Sequence, residues 1–299
     1  MGAIANLFGY LLNFLYNIFS NYGIAIIVFS IILRIILLPI TISQQKTLKK
    51  SAKMQEKMKE IQFKYKNDPE RLNRETIDLY KREKMNPFSG CLSSILQLII
   101  IISVFFLVSR PLTYMKKVDS AVIDGYIEEI KQEDGSVEGY PEIQVINRKA
   151  SVDDRVNINM NFFGLDLSMV PQQNLTDYRV YIIPLLYVIT SFVSIKITNA
   201  SQNKTKKNKT KLLEEKNETK ELSKEEKEKD SQEEAMESMQ SMNNAMTYMV
   251  PIMSISIAFI APLGLALYWL VSNILLIIER LIINKVFKEK DDKEEKINA

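Results

Sequence analysis

Five apolar stretches of the sequence are each long enough to cross a lipid bilayer as a helix, a length of about 17 to 25 predominantly apolar residues. They are 24–42, 89–109, 180–198, 245–261 and 263–283. Although 25% of all residues are charged, the charges concentrate between the apolar stretches. The pattern therefore predicts an all-α integral membrane protein with five transmembrane helices.

The residues that most enzymes and metal sites use are scarce. The chain has no histidine and a single cysteine, Cys91. This composition removes the commonest general base and metal ligand and excludes an intramolecular disulfide. The glycine-rich phosphate-binding patterns and the nucleophile-elbow pattern are also missing from the sequence. We therefore expect a protein that is not an enzyme, with no metal site and no cofactor.

The distribution of lysine and arginine predicts the orientation in the membrane, because cytoplasmic loops are enriched in these residues. Segment 44–86 carries 13 Lys/Arg against 7 Asp/Glu, whereas 110–177 carries 7 against 12. Lysines also follow the third stretch directly, and Arg280, Lys285 and Lys288 lie at the end of the fifth stretch and the start of the C-terminal tail. An N-out, C-in arrangement of five spans satisfies all of these biases.

The sequence divides into ten predicted segments. In chain order they are an outer-surface amphipathic helix (1–22), span one (23–43), a cytoplasmic helical hairpin (44–87), span two (88–110), an extracytoplasmic loop (111–178), span three (179–198), a cytoplasmic charged loop (199–243), span four (244–261), span five (262–283) and a cytoplasmic tail (284–299). The first segment has Asn6, Asn13 and Asn17 on one helical face and lacks the basic start of a signal peptide.

The cytoplasmic hairpin is predicted from its helix formers and from Asn67-Asp68-Pro69, a turn followed by a proline suited to a first helical turn. An apolar stripe at helical spacing includes Met54, Met58 and Ile61. This stripe either packs the two helices together or offers an adaptable surface to client chains. The two interpretations are compatible.

The two long loops differ in character. In the extracytoplasmic loop, alternating residues at 126–130 and 143–146 with Asp134-Gly135 between them predict a small β-hairpin. The cytoplasmic charged loop is rich in lysine and glutamate and cannot bury a core, so it is predicted to be a solvated helix or a disordered linker.

Arg34 lies within the first apolar stretch, where a guanidinium costs about 2.5 to 3.5 kcal/mol on insertion scales. No Asp or Glu occurs in the five spans before Glu279, near the end of span five, so we expect no permanent ion pair. Polar side chains at helical spacing are the expected partners instead. They are Ser30, Ser93, Ser94, Gln97, Thr190, Ser191, Ser194, Ser272 and Asn273. Together they predict a wet, hydrophilic cavity.

Other interpretations of these residues stay open. In the first, Arg34 only extends its charged end toward the membrane surface or caps free carbonyl groups, and the serines only pack helix against helix. A small anion or metabolite transporter that uses Arg34 as its ligand is a second possibility, although the inverted repeats typical of transporters are not visible. A membrane assembly scaffold is a third.

Several motifs resemble the YidC/Oxa/Alb family of membrane protein insertases, in the order in which that family has them. They are IILRIILLPI around Arg34, KYKNDPERL and LYKREKMNPFSGCL in the hairpin, FFGLDLS at 162–168 and PLGLALYWLVSN at 262–273. The similarity covers almost the whole chain, and its size is that of the shorter Gram-positive bacterial members.

This resemblance implies a function and a site. It implies an insertase in the bacterial plasma membrane, with a groove open to the cytoplasm and to lipid, and with nascent membrane proteins and the bilayer as partners. Arg34 would be the groove arginine and Trp269 its aromatic neighbour. The family often has glutamine where Ser194 stands. Contact with the Sec translocon or the ribosome is left open, since the tail KEKDDKEEKINA is nearly balanced in charge, and no nucleic-acid binding is expected.

Overall fold

The computed structural model describes residues 2–65, 68–83, 89–137, 139–197 and 253–297. Its elements in chain order are α1 (Gly2–Phe19), α2 (Tyr22–Lys64), α3 (Pro69–Arg82), α4 (Ser89–Ser109), a π-helix (Leu112–Lys116), α5 (Ser120–Asp134), α6 (Pro141–Lys149), β1 (Asn161–Phe162), β2 (Leu165–Asp166), two 3₁₀ turns (Pro171–Gln173 and Tyr178–Tyr181), α7 (182–197), α8 (253–260) and α9 (Leu263–Ile297). The protein is predominantly helical, as the sequence predicts.

Among the described residues, four helical segments are long and apolar enough to cross a membrane. They are Gly2–Phe19, Tyr22–Ser43, Tyr178–Ile197 and Leu263–Ile283. The predicted second span corresponds to α4, a helix of 21 residues, of which Leu96–Ser109 is the apolar stretch with described side chains. The predicted cytoplasmic charged loop and the first half of the fourth predicted span lie outside the described residues. A multi-span helical membrane protein is thus confirmed, while the count of five spans and their orientation stay predictions.

The first predicted span and the first arm of the predicted hairpin form one continuous helix. α2 runs through Pro39 to Lys64 without a break, and α3 then begins at the predicted proline, with Asp68 capping the amide of Arg71. Thr76 donates to the Met58 sulfur at 3.5 Å. Met58 therefore takes part in packing α3 against α2. The side chain of Met54 lies outside the described residues.

The predicted β-hairpin in the extracytoplasmic loop is wrong where it was placed. Residues 126–130 lie in α5 and residues 143–146 in α6. The predicted turn residue Gly135 ends α5 in a left-handed conformation, with φ of 80°. Helical periodicity wins here because it brings Ile123 and Ile130 to one buried face. A ladder of two residues per strand forms instead between β1 and β2.

The segment 159–169, which contains β1 and β2, covers one end of the helix bundle. Its carbonyl groups accept hydrogen bonds from the first turns of two spans. The Asn159 carbonyl accepts from the Tyr22 amide at 3.0 Å, the Met169 carbonyl from Leu263 at 2.9 Å, and the Leu167 carbonyl from Gly264 at 3.0 Å. The first amides of a helix have no partner within it. The segment therefore aligns the starts of α2 and α9 at one level.

Helix α1 lies against the end of α4 and the π-helix. Lys116 sits 5.1 Å from the ring of Tyr16, and Lys117 sits 4.5 Å from the ring of Tyr10. Phe8 also meets Phe29 of α2 edge to face at 5.6 Å between ring centroids. The two neighbouring lysines at the end of the π-helix thus contact α1 about two turns apart.

Gly9 allows the close approach of α1 to the π-helix, which yields a stability prediction. A Cβ atom at Gly9 would lie 1.8 Å from the Tyr114 carbonyl oxygen, whereas one at Gly125 would meet nothing within 4 Å. We expect Gly9→Ala to lower the free energy of unfolding by about 1 to 3 kcal/mol. Gly125→Ala, the control, is expected to raise it by about 0.5 to 1 kcal/mol, since a helix interior disfavours glycine. Unfolding in detergent micelles measures both, and equal effects would contradict the packing.

Glu142 of α6 is a buried carboxylate that caps the π-helix. Its Oε2 atom accepts from the amides of Leu112 and Thr113 at 2.8 and 3.0 Å, and its Oε1 atom accepts from the Thr113 hydroxyl at 2.6 Å. Burial raises the pKa of Glu142, and the hydrogen bonds from Thr113 and Leu112 and the charge of Arg110 only partly oppose this rise. The loop is thereby held to the end of α4.

The raised pKa of Glu142 predicts a pH dependence of stability. A carboxyl whose folded pKa lies above its unfolded value stabilises the fold below the unfolded pKa, and this contribution is lost as the pH rises through the folded value. We therefore expect the unfolding midpoint of the wild type to fall, relative to that of Glu142→Gln, as the pH rises from about 4 to 8. The exposed Glu128→Gln is the control. Parallel pH profiles of wild type and Glu142→Gln would refute the assignment.

Candidate functional site

Arg34 of α2 forms an ion pair with Glu279 of α9. The Arg34 Nε atom lies 2.5 Å from Glu279 Oε2, and the two side chains are only 18% and 5% exposed. The contact is an ion pair without hydrogen-bond geometry, and Arg34 Nη2 and Glu279 Oε1 are buried without a hydrogen bond to any described residue. The pair keeps spare donor and acceptor capacity.

This pair corrects the expectation that Arg34 lacks a permanent carboxylate partner. α2 and α9 both start beneath segment 159–169, so they run parallel. Arg34 and Glu279 follow the helix starts by 12 and 16 residues, which at 1.5 Å per residue places them within about 6 Å of each other in depth. A long arginine side chain spans that difference. The sequence analysis did not pair Glu279 with Arg34 because Glu279 stands close to the end of its span.

Arg280 adds a second cation beside the pair. Its guanidinium is repelled by Arg34 and attracted by Glu279, and its Nη1 atom donates to the Ser194 hydroxyl of α7 at 3.4 Å. The charged cluster of Arg34, Glu279 and Arg280 therefore joins α2, α7 and α9 and carries a net charge of +1. Two cations beside one carboxylate make it a site that attracts a further anion.

Two uncharged layers lie between the charged cluster and the start of α9. Asn273 donates through Nδ2 to the hydroxyl oxygens of Thr190 and Ser191 of α7, at 3.2 and 3.1 Å. One turn earlier, the ring of Trp269 lies 5.9 Å from that of Tyr187, at an interplanar angle of 34°. Trp269, Asn273 and Arg280 therefore use the same face of α9 to pack against α7.

The structure brings together five of the seven residues predicted for the groove. Arg34, Thr190, Ser194, Trp269 and Asn273 all lie at contacts among α2, α7 and α9. Ser30 is buried and donates to the Ile26 carbonyl of its own helix at 2.7 Å, and Gln97 on α4 is exposed. The prediction missed Glu279 and Arg280. The seven-residue step from Asn273 to Arg280 was a sequence signal that pointed to Arg280, but not to Glu279.

Comparison with known proteins identifies the family. The family model described as "60Kd inner membrane protein" matches residues 14–291. The chain belongs to this family. The resemblance seen in the sequence motifs is thereby confirmed, and the protein is a bacterial membrane protein with several spanning helices.

Several relatives carry the name "Membrane protein insertase YidC". The chain is 46% identical to one from Caldanaerobacter subterraneus over 105 residues, which cover 35% of this chain and 51% of that relative. It is 25% identical to one from Treponema denticola over 280 residues, covering 94% of this chain and 37% of the relative. A relative from Fusobacterium nucleatum is 27% identical over 289 residues, covering 95% and 98%. The chain thus matches about half or less of the length of the first two.

The charged cluster predicts an order of stability among variants. Removing one partner of a buried ion pair costs about 3 to 5 kcal/mol, because the other charge stays buried. Glu279→Ala would remove the carboxylate that offsets Arg34 and lies beside Arg280, whereas Arg34→Ala leaves Glu279 beside Arg280. We therefore expect Glu279→Ala to have the lower unfolding midpoint of the two, and the double variant to cost less than the sum of the single ones.

Thermal unfolding of the purified protein in detergent measures this order. Arg74→Ala on α3 is the matched control, because the ion pair of Arg74 with Glu70 is 76% and 86% exposed and such pairs contribute little. A midpoint for Glu279→Ala at or above that of Arg34→Ala would contradict the proposed charge balance.

Proposed function

We propose that this protein is a membrane protein insertase. It admits polar segments of client proteins to a hydrophilic groove around Arg34 and releases their transmembrane helices into the bilayer. The observation that supports this most directly is the charged cluster, a net positive site buried where three apolar helices meet. Membership in a family with relatives named insertases supports the same conclusion.

The attraction of acidic client segments follows from the electrostatics of the cluster. A charge interaction is several times stronger at a partly desolvated site than in bulk water. A carboxylate in the outer segment of a client is attracted to the cluster inside the bilayer, where an unpaired charge would otherwise have a high free energy. The client's apolar helix then moves into lipid, driven by about 0.8 kcal/mol per buried methylene. No nucleotide and no chemical step are required.

We infer a topology of five spans with the N-terminus outside and the C-terminus inside. The lysine and arginine bias supports it. In this topology α1 lies on the outer surface, which is supported by its contacts with Lys116 and Lys117 beyond the end of α4. The exposed stripe of Leu7, Tyr10 and Phe14 on α1 would then face the lipid interface.

The α2–α3 hairpin is the proposed first contact for clients on the cytoplasmic side. Because α2 is continuous from Tyr22 to Lys64, the same helix carries Arg34 and one arm of the hairpin. Partly exposed Met58 and Ile61 lie on that arm, and Met54 belongs to the same sequence stripe. A client that binds the hairpin would therefore be held by the helix that also carries the groove arginine.

Two other functions are tested by the same preparation. A small-anion or metabolite transporter would use the cluster as a ligand site for a solute, and a membrane scaffold would need the cluster only for stability. Proteoliposomes that contain the purified chain discriminate among the three. We expect protease protection of a single-span client, with no flux of a small anion above that of empty liposomes. Anion flux without client insertion would favour the transporter. The absence of both flux and insertion would favour the scaffold.

The insertase proposal predicts which clients depend on Arg34. We expect Arg34→Ala to lose most insertion of a client whose outer tail carries aspartates, at least about tenfold, since a charge-assisted contact contributes about 1.5 to 3 kcal/mol. Arg34→Lys keeps the charge and is expected to retain most of the activity. Protease protection in proteoliposomes measures insertion.

The matched control is the same client with asparagine in place of each aspartate, which Arg34→Ala should insert nearly as well as the wild type does. Full insertion of the aspartate client by Arg34→Ala would remove the role proposed for the charge.

A further inference from the structure

We propose that Glu279 is an internal competitor for the client's carboxylate and that Arg280 is the partner to which it transfers. In the client-free protein Glu279 forms the ion pair with Arg34. When an acidic segment arrives, its carboxylate replaces Glu279 at Arg34, and Glu279 pairs with Arg280 instead. This step rests on the proposed insertase function and makes Glu279 and Arg280 determinants of client specificity.

The first support is the state of Arg34 itself. Its Nε atom is already taken by Glu279 at 2.5 Å, so an incoming carboxylate meets an occupied cation and not a free one. At the same time Arg34 Nη2 makes no hydrogen bond to a described residue. A guanidinium has five N–H donors in a fixed fork, and a second carboxylate can engage the remaining donors before the first one leaves.

The second support is the position of Arg280. It follows Glu279 directly on α9 and is already attracted to it. Glu279 Oε1, like Arg34 Nη2, is buried without a hydrogen bond to a described residue. A change of side-chain conformation at Glu279 would replace Arg34 by Arg280 as its partner, so that the carboxylate is never unpaired in the apolar interior. Such a transfer avoids the cost of leaving a buried charge unpaired.

The third support is the anchoring of Arg280. Its Nη1 atom donates to Ser194 of α7, and α7 is also held to α9 by the bonds of Asn273 to Thr190 and Ser191. Arg280 is therefore fixed at the α7 side of the cluster, while Arg34 comes from α2. The transfer moves the negative charge of Glu279 away from α2 and toward α7, which leaves Arg34 for the client.

The exchange is tested by equilibrium binding to the full chain in lipid nanodiscs. The probes are two fluorescent single-span peptides that differ only in an outer tail with two aspartates or two asparagines. Acid selectivity is defined as the dissociation constant of the asparagine peptide divided by that of the aspartate peptide. We expect Glu279→Gln to raise this selectivity at least about tenfold over the wild type, because the internal competitor is gone.

Arg280→Gln gives the discriminating result. In the wild-type background it removes the alternative partner of Glu279, so Glu279 stays on Arg34 and the selectivity falls. In the Glu279→Gln background there is no carboxylate to transfer, and the same substitution should leave the selectivity unchanged. If Arg280→Gln lowers the selectivity equally in both backgrounds, Arg280 attracts the client directly and the exchange is wrong. An unchanged selectivity in Glu279→Gln also overturns the proposal.

Two matched controls separate the local effect from a change of net charge. Glu70→Gln removes a carboxylate from the exposed face of α3, and Lys285→Gln removes an exposed cation from α9, five residues after Arg280. Neither should change the selectivity. If Glu279→Gln does not fold, Glu279→Asp replaces it; the shorter side chain should hold Arg34 less well and still raise the selectivity, and no rise would overturn the exchange.

A parallel assay separates this inference from the proposed function. Insertion of the asparagine peptide by the wild type in proteoliposomes does not depend on the exchange. If that insertion fails, the insertase proposal is wrong, whereas the binding data still decide whether Glu279 competes for Arg34. If insertion succeeds and the selectivities do not change as expected, only the exchange is wrong.

Discussion

The ion pair of Arg34 and Glu279 connects two parallel helices at a depth where each charge would be costly alone. α2 and α9 start at the same level because the carbonyl groups of segment 159–169 accept hydrogen bonds from their first amides. From that level both helices descend far enough to bring a guanidinium and a carboxylate together. The cap at one end of the bundle thus determines which side chains meet near the other end. A shift of either helix by one turn, about 5.4 Å, would separate the two charges.

The contacts along α9 change in character with distance from the cap. Near the start, the rings of Trp269 and Tyr187 contact each other in a tilted arrangement. One turn further Asn273 joins α9 to α7 through two hydroxyl groups, and two turns beyond it the contacts are between charges. Taken from the charged end, the order is therefore charged, then polar, then apolar. It also explains how three helices hold a net positive charge, since the uncharged layers fix their spacing.

The charged cluster and the contact of α6 with the π-helix stabilise the protein through the same physical principle, a buried carboxylate that bridges two elements. Glu142 accepts three hydrogen bonds at the start of the π-helix, two from amides and one from the Thr113 hydroxyl, and these use most of its acceptor capacity. Glu279 instead contacts Arg34 without hydrogen-bond geometry and keeps an unbonded oxygen among the described residues. A saturated carboxylate suits a fixed joint, and an unsaturated one suits a contact that changes partners.

The sequence by itself determined the helical membrane class, the position of Arg34, the start of α3 at Pro69 and most of the residues that meet around the cluster. These follow from local quantities: apolar length, helical spacing and the conformational preference of proline. The sequence pattern predicted strands at 126–130 and 143–146, and this was wrong. Short alternating runs are compatible with the two-residue repeat of a strand and with the 3.6-residue repeat of a helix, and tertiary packing decides between them. Only the tertiary structure decided that Glu279 and Arg280 complete the site. Which side chains meet across helices depends on the common level at which α2 and α9 begin, and the hydrogen bonds that set this level come from a segment about a hundred residues before α9 and more than a hundred after the start of α2.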